Sequence, residues 1–463
     1  MRLGATHMSA TGAASAPDIR VVERLERLPI TTWQVKARVI VGVATFFDAF
    51  DALTIAYVLP ALIPLFKMGP QEIGLLISSS YVGQIFGALF FGWIAERYGR
   101  MPAMIGSIAL FAVMSIACAL AWDYNSFFIF RFIQGIGLGG EVPVAATFII
   151  EMTGAKNRGR FLLLYELIFP IGLLAAALAG RLLVPTLGWQ SMFYLGALPA
   201  IIALVLRFVL PESPRWLASR GRSQEAEKAL KQIEDGVEKA YGRPLPPPAS
   251  APAPQAKRAS WRDLFAGIYL SRTLVIWTLW FCAYFVGYGL STWLPSLYTS
   301  IMKVPLTTAL NYALIAQSVT FLGALTCALA IDKVGRRNWV MLAFGGGVVG
   351  FSIMWWTGTP TAEYVLILGT LTAMFVTTNS LALYVYTPEL YPTRVRAIGV
   401  STATAWLRLA SAIAPATVGY LIGNNYGLPS VWLMFACVAG VGVLVAALFA
   451  IETKNRVLED ISP

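Results

Sequence analysis

The chain has 463 residues, 57% of them hydrophobic and only 13% charged, with a mean hydropathy of +0.67; a water-soluble domain carries about 25% charged residues, so this surface needs a bilayer as its solvent. The net charge of +11 lies between apolar runs, which argues against a nucleic-acid ligand and for membrane topology and anionic lipid headgroups as partners. One histidine, His7, in the N-terminal stretch, leaves nothing for a histidine metal site, and no cofactor is implied.

Residues 1–36 read as a flexible N-terminal tail, 37–210 as a first group of spans, and 211–268 as a polar loop. Residues 269–451 read as a second group and 452–463 as a tail. Apolar runs of about 20 residues mark the spans. Six lie near 38–61, 72–95, 101–121, 126–149, 161–184 and 190–210, and six more near 271–294, 307–331, 338–358, 363–386, 398–422 and 430–451. The first run starts too far from Met1, and is followed by too many others, to be a cleaved signal peptide.

Span 1 carries Asp48 and Asp51, three apart and so on roughly one helical face. Ionisable groups at membrane depth cost at least ~2.5–3.5 kcal/mol each and usually mark ion or substrate pathways. Two carboxylates that close in a low dielectric do not both ionise freely, which suits proton carrying. Span 2 ends in GWIAERYGR (92–100), where Glu96, Arg97 and Arg100 follow Gly92, and Gly92 and Gly99 allow a close approach. Charges at such an end pair across two halves of a bundle and hold one conformation closed, or serve topology alone.

Span 4 holds Arg131 and Glu141. Its GIGLGG (135–140) matches G-x-G-x-x-G in form, but no strand precedes it, so the glycines read as helix packing; Glu141, in GLGGEVPV, reads as structural, with a substrate-facing role as the alternative. Glu151 and Arg158 follow span 4, and Glu166 lies in span 5. The loop holds a helical stretch, Ser223 to Lys239, then PLPPPASAPAPQ, a Pro/Ala connector. Span 7 places Trp280, Tyr284 and Tyr288 at i, i+4 and i+8, a stripe able to stack a planar ring. Gln317, Asn379 and Tyr384 add hydrogen-bonding groups, Tyr386 another polar aromatic, and Trp293 reads equally as an interfacial anchor. Asp332, Arg336, Glu389 and Arg396 repeat the charged ends in the second group. In span 11 Arg408 has no acidic neighbour in sequence. A lone guanidinium suits a carboxylate held bidentately; the alternatives are pairing with Glu389 or with backbone carbonyls, and Arg131 competes for the same role. Cys118, Cys282, Cys327 and Cys437 sit in apolar segments without paired spacing and read as packing residues.

The two groups resemble each other. Glu96 and Asp332, Glu151 and Glu389, and Glu212 and Glu452 are separated by near-constant offsets of 236, 238 and 240, a parallel duplication. With a cytoplasmic N-terminus, the short inner loops carry Arg97, Arg100, Lys156, Arg158, Arg160, Lys333, Arg336, Arg337, Arg394 and Arg396, and the outer ones only Lys67 and Lys303. This asymmetry puts both termini in the cytoplasm. No Gly-Lys dipeptide occurs for a phosphate-binding loop, which argues against an ATP-driven pump, and the chain offers little for an enzyme.

The pattern G-x-x-x-[DE]-R-x-G-R, with PESPRW (211–216) and ETKNRVLEDI (452–461), resembles signatures of the major facilitator superfamily in its sugar-porter-like branch. Glu96 replaces the usual Asp, and Ala328 replaces Gly in the second copy. FDAFD (47–51), RFIQGIGLGGEVPVA (131–145), RGRFLLLYE (158–166), GLSTWLPS (289–296) and YTPELYPTRVRAIG (386–399), with Arg408, are most similar to bacterial niacin permeases. The resemblance implies an all-α membrane protein of twelve transmembrane helices in two pseudo-symmetric six-helix bundles. It also implies a monomeric, proton-coupled inner-membrane carrier taking up a small aromatic carboxylate. In sugar-porter-like proton symporters a helix 1 aspartate pairs with a helix 4 arginine. The matching pair here, Asp51 and Arg131, is then the expected protonation switch, with Asp48 and Glu166 tuning it or touching substrate, unless the pair is a static salt bridge. An organic-cation carrier using Asp48, Asp51 and Glu166, and a substrate sensor on the same fold, are the alternatives.

Overall fold

The computed structural model describes residues 16–152, 168–248, 260–392, 395–454 and 456, and the regular structure among them is helical. In the first half, α2 (Thr32–Phe66), α3 (Pro70–Tyr98), α4 (Arg100–Ala119), α5 (Tyr124–Met152) and α6 (Ile168–Leu187) correspond to spans 1 to 5. In the second, α11 (Ile268–Ser300), α12 (Leu306–Val334), α13 (Arg336–Thr357), α14 (Thr370–Glu389), α15 (Arg396–Gly423) and α16 (Gly427–Phe449) correspond to spans 7 to 12. Span 10 begins earlier, with a turn at Ala362–Tyr364 and a π-turn at Val365–Gly369 before α14.

Eleven of these spans are each long and apolar enough to cross a membrane. The sixth is split into α7 (Gln190–Gly196) and α8 (Pro199–Val209), and Pro199 takes the first helical position of the second piece. Hydropathy sees a single run there because the break changes no polarity. The helices also outrun their apolar cores. α2 starts at a capping box, with Thr31 Oγ1 accepting from Trp33 N and Gln34 Oε1 accepting from Thr31 N at 2.8 Å. It ends where Lys67 turns left-handed at φ 51°.

Glycines set how closely the first half packs. A Cβ at Gly83 or Gly87 on α3, or at Gly135 or Gly139 on α5, would overlap the backbone of the facing helix. The GIGLGG string therefore brings α5 against α3, as helix packing requires.

The duplicated landmarks converge on one cluster per half. Arg100 pairs with Glu151 at 2.9 Å and Glu96 at 3.0 Å, while Glu212 accepts from Arg100 N at 3.0 Å. Arg336 pairs with Glu389 at 3.0 Å and Asp332 at 2.8 Å, while Glu452 accepts from Arg336 N at 2.9 Å. Gly99 (φ 119°) and Gly335 (φ 99°) turn the chain at each corner, and a Cβ at either would strike the glutamate that caps the next helix. Each cluster closes within its own half. The expectation that these charges pair across the two halves is not met among the described residues, because the caps Glu212 and Glu452 hold each arginine to its own bundle.

Other expected gating residues fare differently. Gly92 has nothing within 4 Å of an added Cβ, so it makes no close approach. Arg97 lies over both Trp93 and Tyr98, at 5.5 and 5.7 Å from their ring centres. Arg396 bonds back to Tyr391 O at 3.3 Å, and Arg158 lies outside the described residues.

Where composition reads as a flexible tail, Ala16–Glu26 form α1. It lies against α9 (Pro214–Ser219) and α10 (Ser223–Tyr241) of the loop. Leu25 shares an apolar cluster with Leu230, Ile233 and Val237. Arg24 reaches Glu234 at 2.5 Å and Glu227 at 2.7 Å, and Arg27 reaches Glu234 at 2.7 Å.

The two halves meet closely at the face away from the termini. Gly74 of α3 packs on Pro415 and Gly419 of α15, Gly423 lies against Gln71, and Arg181 of α6 donates to Asn311 of α12. Nearer the middle, a cavity remains between the bundles.

Candidate substrate cavity

That cavity, of about 170 Å³, is lined by α2, α3, α5 and α6 on one side and α11, α12, α14 and α15 on the other. Its charged lining among the described residues is one acid, Asp48, and one base, Arg408. Asp48 and Asp51 were expected on one face. Three residues advance a helix by about 300°, leaving the two some 60° apart, and that offset sends them to different surroundings. Asp48 looks into the cavity, whereas Asp51 is 1% exposed and turns toward α5.

There Asp51 forms a closed triad. Arg131 NH1 donates to Asp51 Oδ2 at 2.9 Å and to Gln134 Oε1 at 2.7 Å, and Gln134 Nε2 donates to Asp51 Oδ1 at 2.9 Å. Arg131 is 2% exposed, lies 5.9 Å from the centre of the Phe193 ring, and leaves its Nε unbonded. The pairing of Asp51 with Arg131 is present, but neither residue lines the cavity. Arg131 is therefore not placed to meet a ligand carboxylate there.

Arg408 is placed to do so. Its NH1 donates at 2.9 Å to Gln84 Oε1, across the divide between the halves. Glu389 is taken by Arg336 and by Thr453 Oγ1 at 2.5 Å, so the alternative pairing of Arg408 with Glu389 does not form. Asp48 and Arg408 are near enough for their charges to interact.

The aromatic stripe of span 7 forms as a ladder. Trp280 and Tyr284 stack at 5.5 Å and 5°, Tyr284 and Tyr288 at 5.7 Å and 24°, and Tyr288 meets Tyr81 of α3 at 5.3 Å. Tyr284, Tyr288, Tyr384 and Gln317 line the cavity. Two expected members do not. Trp280 is fully buried, its indole N–H bonded to Thr387 at 2.9 Å and its ring edge-on to Tyr384 at 4.8 Å. Asn379 is also fully buried, and neither of its amide atoms finds a partner. Glu166 lies outside the described residues. Glu141, read as structural, is buried and accepts from Thr45 Oγ1 at 3.2 Å.

Sequence reasoning missed Gln84, Tyr81, Ser291, Thr320 and Ser380, all on the cavity wall. Attention to charge passed over them because they are neutral. A polar residue inside a Gly- and Ser-rich apolar span such as SSSYVGQIFG was the available signal. Arg181, a charge inside span 5, was also missed.

The family described as "Sugar (and other) transporter" matches residues 67–463. The chain is 33% identical over 442 residues to the niacin transporter NiaP of Acinetobacter baylyi, covering 95% of this chain and 99% of that one. It is 28% identical over 399 residues to the 4-hydroxybenzoate transporter PcaK of Pseudomonas aeruginosa, covering 84% and 87%. Its fold is similar to that of the xylose transporter XylE from E. coli, at a TM-score of 0.73 and 20% identity, over 92% of this chain and 100% of that one. Two six-helix bundles around a shared, mainly apolar cavity that holds one acid and one base, matched along nearly the whole chain to carriers, make this protein a multi-pass membrane transporter of the sugar (and other) transporter family within the major facilitator superfamily.

Proposed function

We propose that this protein takes up nicotinate together with a proton across the bacterial plasma membrane, with both termini in the cytoplasm. The halves rock around the central cavity to expose it to each side in turn. One observation carries the reading: a cavity-facing guanidinium, Arg408, set beside the tyrosine ladder of α11. A guanidinium takes a carboxylate through parallel N–H bonds, and tyrosine faces take a planar ring. The likeness to a niacin transporter supports the same substrate class.

Charge balance supports the coupling. Asp48 and Arg408 together leave the described lining neutral, so a bound carboxylate adds one uncompensated negative charge in a poorly solvated space. A proton on Asp48 restores neutrality. Access favours Asp48 over Asp51 as the acceptor, since Asp51 is enclosed with Arg131 and Gln134. In this reading the enclosed pair orders the first half.

A second reading, an organic-cation carrier, is favoured by the same cavity-lining Asp48. Competition against labelled nicotinate in proteoliposomes separates the two. Unlabelled nicotinate is expected to compete, while nicotinamide and a quaternary amine do not. Uptake of the labelled quaternary amine that nicotinate does not inhibit, with no protein-dependent uptake of labelled nicotinate, would leave the cation carrier standing.

A further inference from the structure

The hydrogen bond between Gln84 and Arg408 fixes more than a contact. A primary amide has one accepting and one donating end. Because Gln84 Oε1 is held by Arg408 NH1 at 2.9 Å, the other end of the amide, Nε2, is the one left to donate. Gln84 lies on the cavity wall. It is one turn along α3 from Tyr81, whose ring meets Tyr288 at 5.3 Å, so the two residues share a helical face. The backbone beneath Gln84 is immobilised as well, since Gly139 of α5 packs directly on its carbonyl.

We infer that Gln84 is the residue that distinguishes a pyridine carboxylate from a benzene carboxylate, donating from Nε2 to the ring nitrogen while Arg408 holds the carboxylate. The inference rests on the nicotinate reading above and names the group that would make it selective. It gives Gln84 two tasks. Its oxygen orients the guanidinium, and its amide N–H reads the ring against the Tyr81 and Tyr288 faces. A benzoate in the same place would leave the Nε2 donor facing a C–H. A site built around a hydrogen bond discriminates against analogues that cannot make it, because its polar group is then desolvated and unpaired. Nicotinate separates its carboxylate and ring nitrogen by one fixed spacing, and the 2- and 4-carboxylate isomers present different ones. The wild-type protein is therefore expected to rank nicotinate above picolinate, isonicotinate and benzoate.

The test is uptake of labelled nicotinate, and separately of labelled benzoate, by reconstituted wild-type, Gln84→Leu and Gln84→Glu proteins, with benzoate and the two pyridine isomers as competitors and a thermal melt for each variant. Gln84→Leu removes both tasks, so any weakening from a disoriented Arg408 falls on nicotinate and benzoate alike, while the preference for nicotinate over benzoate is expected to drop about tenfold further, the worth of one hydrogen bond to a desolvated donor. Gln84→Glu is expected to pair with Arg408 and abolish uptake of both acids while melting normally. If Gln84→Leu weakens nicotinate and benzoate alike, Gln84 only positions Arg408 and the assignment is overturned. A wild-type protein that carries nicotinate without preferring it over benzoate overturns the assignment by itself, whatever the variants do. A wild-type protein that carries benzoate and no nicotinate overturns the substrate reading, and this assignment with it.

Discussion

At the residue scale, the chemistry depends on which charges can be reached. Arg408 and Asp48 face the cavity, whereas Arg131 and Asp51 are sealed in a triad with Gln134. Opposite consequences follow for two substitutions that look alike in sequence. Asp48→Asn is expected to keep nicotinate exchange between equal pools but to lose accumulation driven by a pH gradient. Asp51→Asn strips the buried Arg131 of its counter-charge, and breaking such a pair costs about 3–5 kcal/mol. Its signature is a lower melting temperature, and a normal melt would contradict this division of labour. Arg408→Gln is expected to cut nicotinate uptake about 100-fold or more, the scale for removing one partner of a buried charged pair. Arg408→Lys should not restore it, because an ammonium lacks the planar fork. Near-wild-type uptake by the lysine variant would remove the bidentate argument. The charges themselves were legible in the sequence, since an ion inside an apolar run stands out at once. Their neutral neighbours Gln84 and Tyr81 were not, because nothing in hydropathy separates a cavity-facing amide from one facing another helix.

Helix ends were legible to within about two turns, and the errors have physical causes. Hydropathy ended span 1 at its last apolar residues, but the Thr31–Gln34 capping box and the Lys67 turn carry α2 beyond both ends. It joined α7 to α8 because Pro199 interrupts the helix without changing polarity. It also read all the glycines of the first half alike. In the structure Gly139 bears directly on the Gln84 carbonyl, while Gly92 faces open space. Gly139→Ala is therefore expected to destabilise the protein by about 1–3 kcal/mol, as overpacking does, and Gly92→Ala to leave the melt unchanged. Equal effects would contradict the α3–α5 packing. The loop offers a pH-dependent contact. Burial pushes the Glu234 carboxyl up, but hydrogen bonds from Arg24 and Arg27 outweigh it and hold the group below its ordinary 4.5. A carboxylate with a depressed folded value stabilises above its unfolded value, and that stabilisation is lost as pH falls through the folded one. Protection factors of the α1 amides, which remove the intrinsic pH dependence of exchange, should accordingly fall below about pH 4.5 and stay level between pH 5 and 8. Glu234→Gln should show the fast exchange at neutral pH.

For the whole molecule, the duplication in sequence turns out to be a duplication of one charge cluster. The offset landmarks are the same arginine, acids and capping glutamate built twice. The sequence showed that the copies existed, but not that each would close on itself, because the partner of a surface-end charge is decided by the cap that orients it. With those clusters confined to their own halves, the contacts that close the far face among the described residues lie between α3 and α15 and between α6 and α12, apart from those that Gln84 with Arg408 and Tyr81 with Tyr288 make across the cavity. Rocking must part that face. Cysteines at Gln71 and Gly423, whose positions touch there, are expected to stop transport when oxidised to a disulfide and to release it on reduction. Undiminished turnover by the cross-linked protein would contradict rocking about the cavity.

In the proposed cycle a proton and a nicotinate anion cross together through the cavity that holds Asp48 and Arg408. The most direct test is uptake of labelled nicotinate into proteoliposomes with an imposed pH gradient, alkaline inside, measured against protein-free liposomes. Accumulation above the protein-free level is expected, abolished by a protonophore and absent in Asp48→Asn. Protein-dependent uptake indifferent to the gradient, or none beyond the protein-free control, would contradict that cycle.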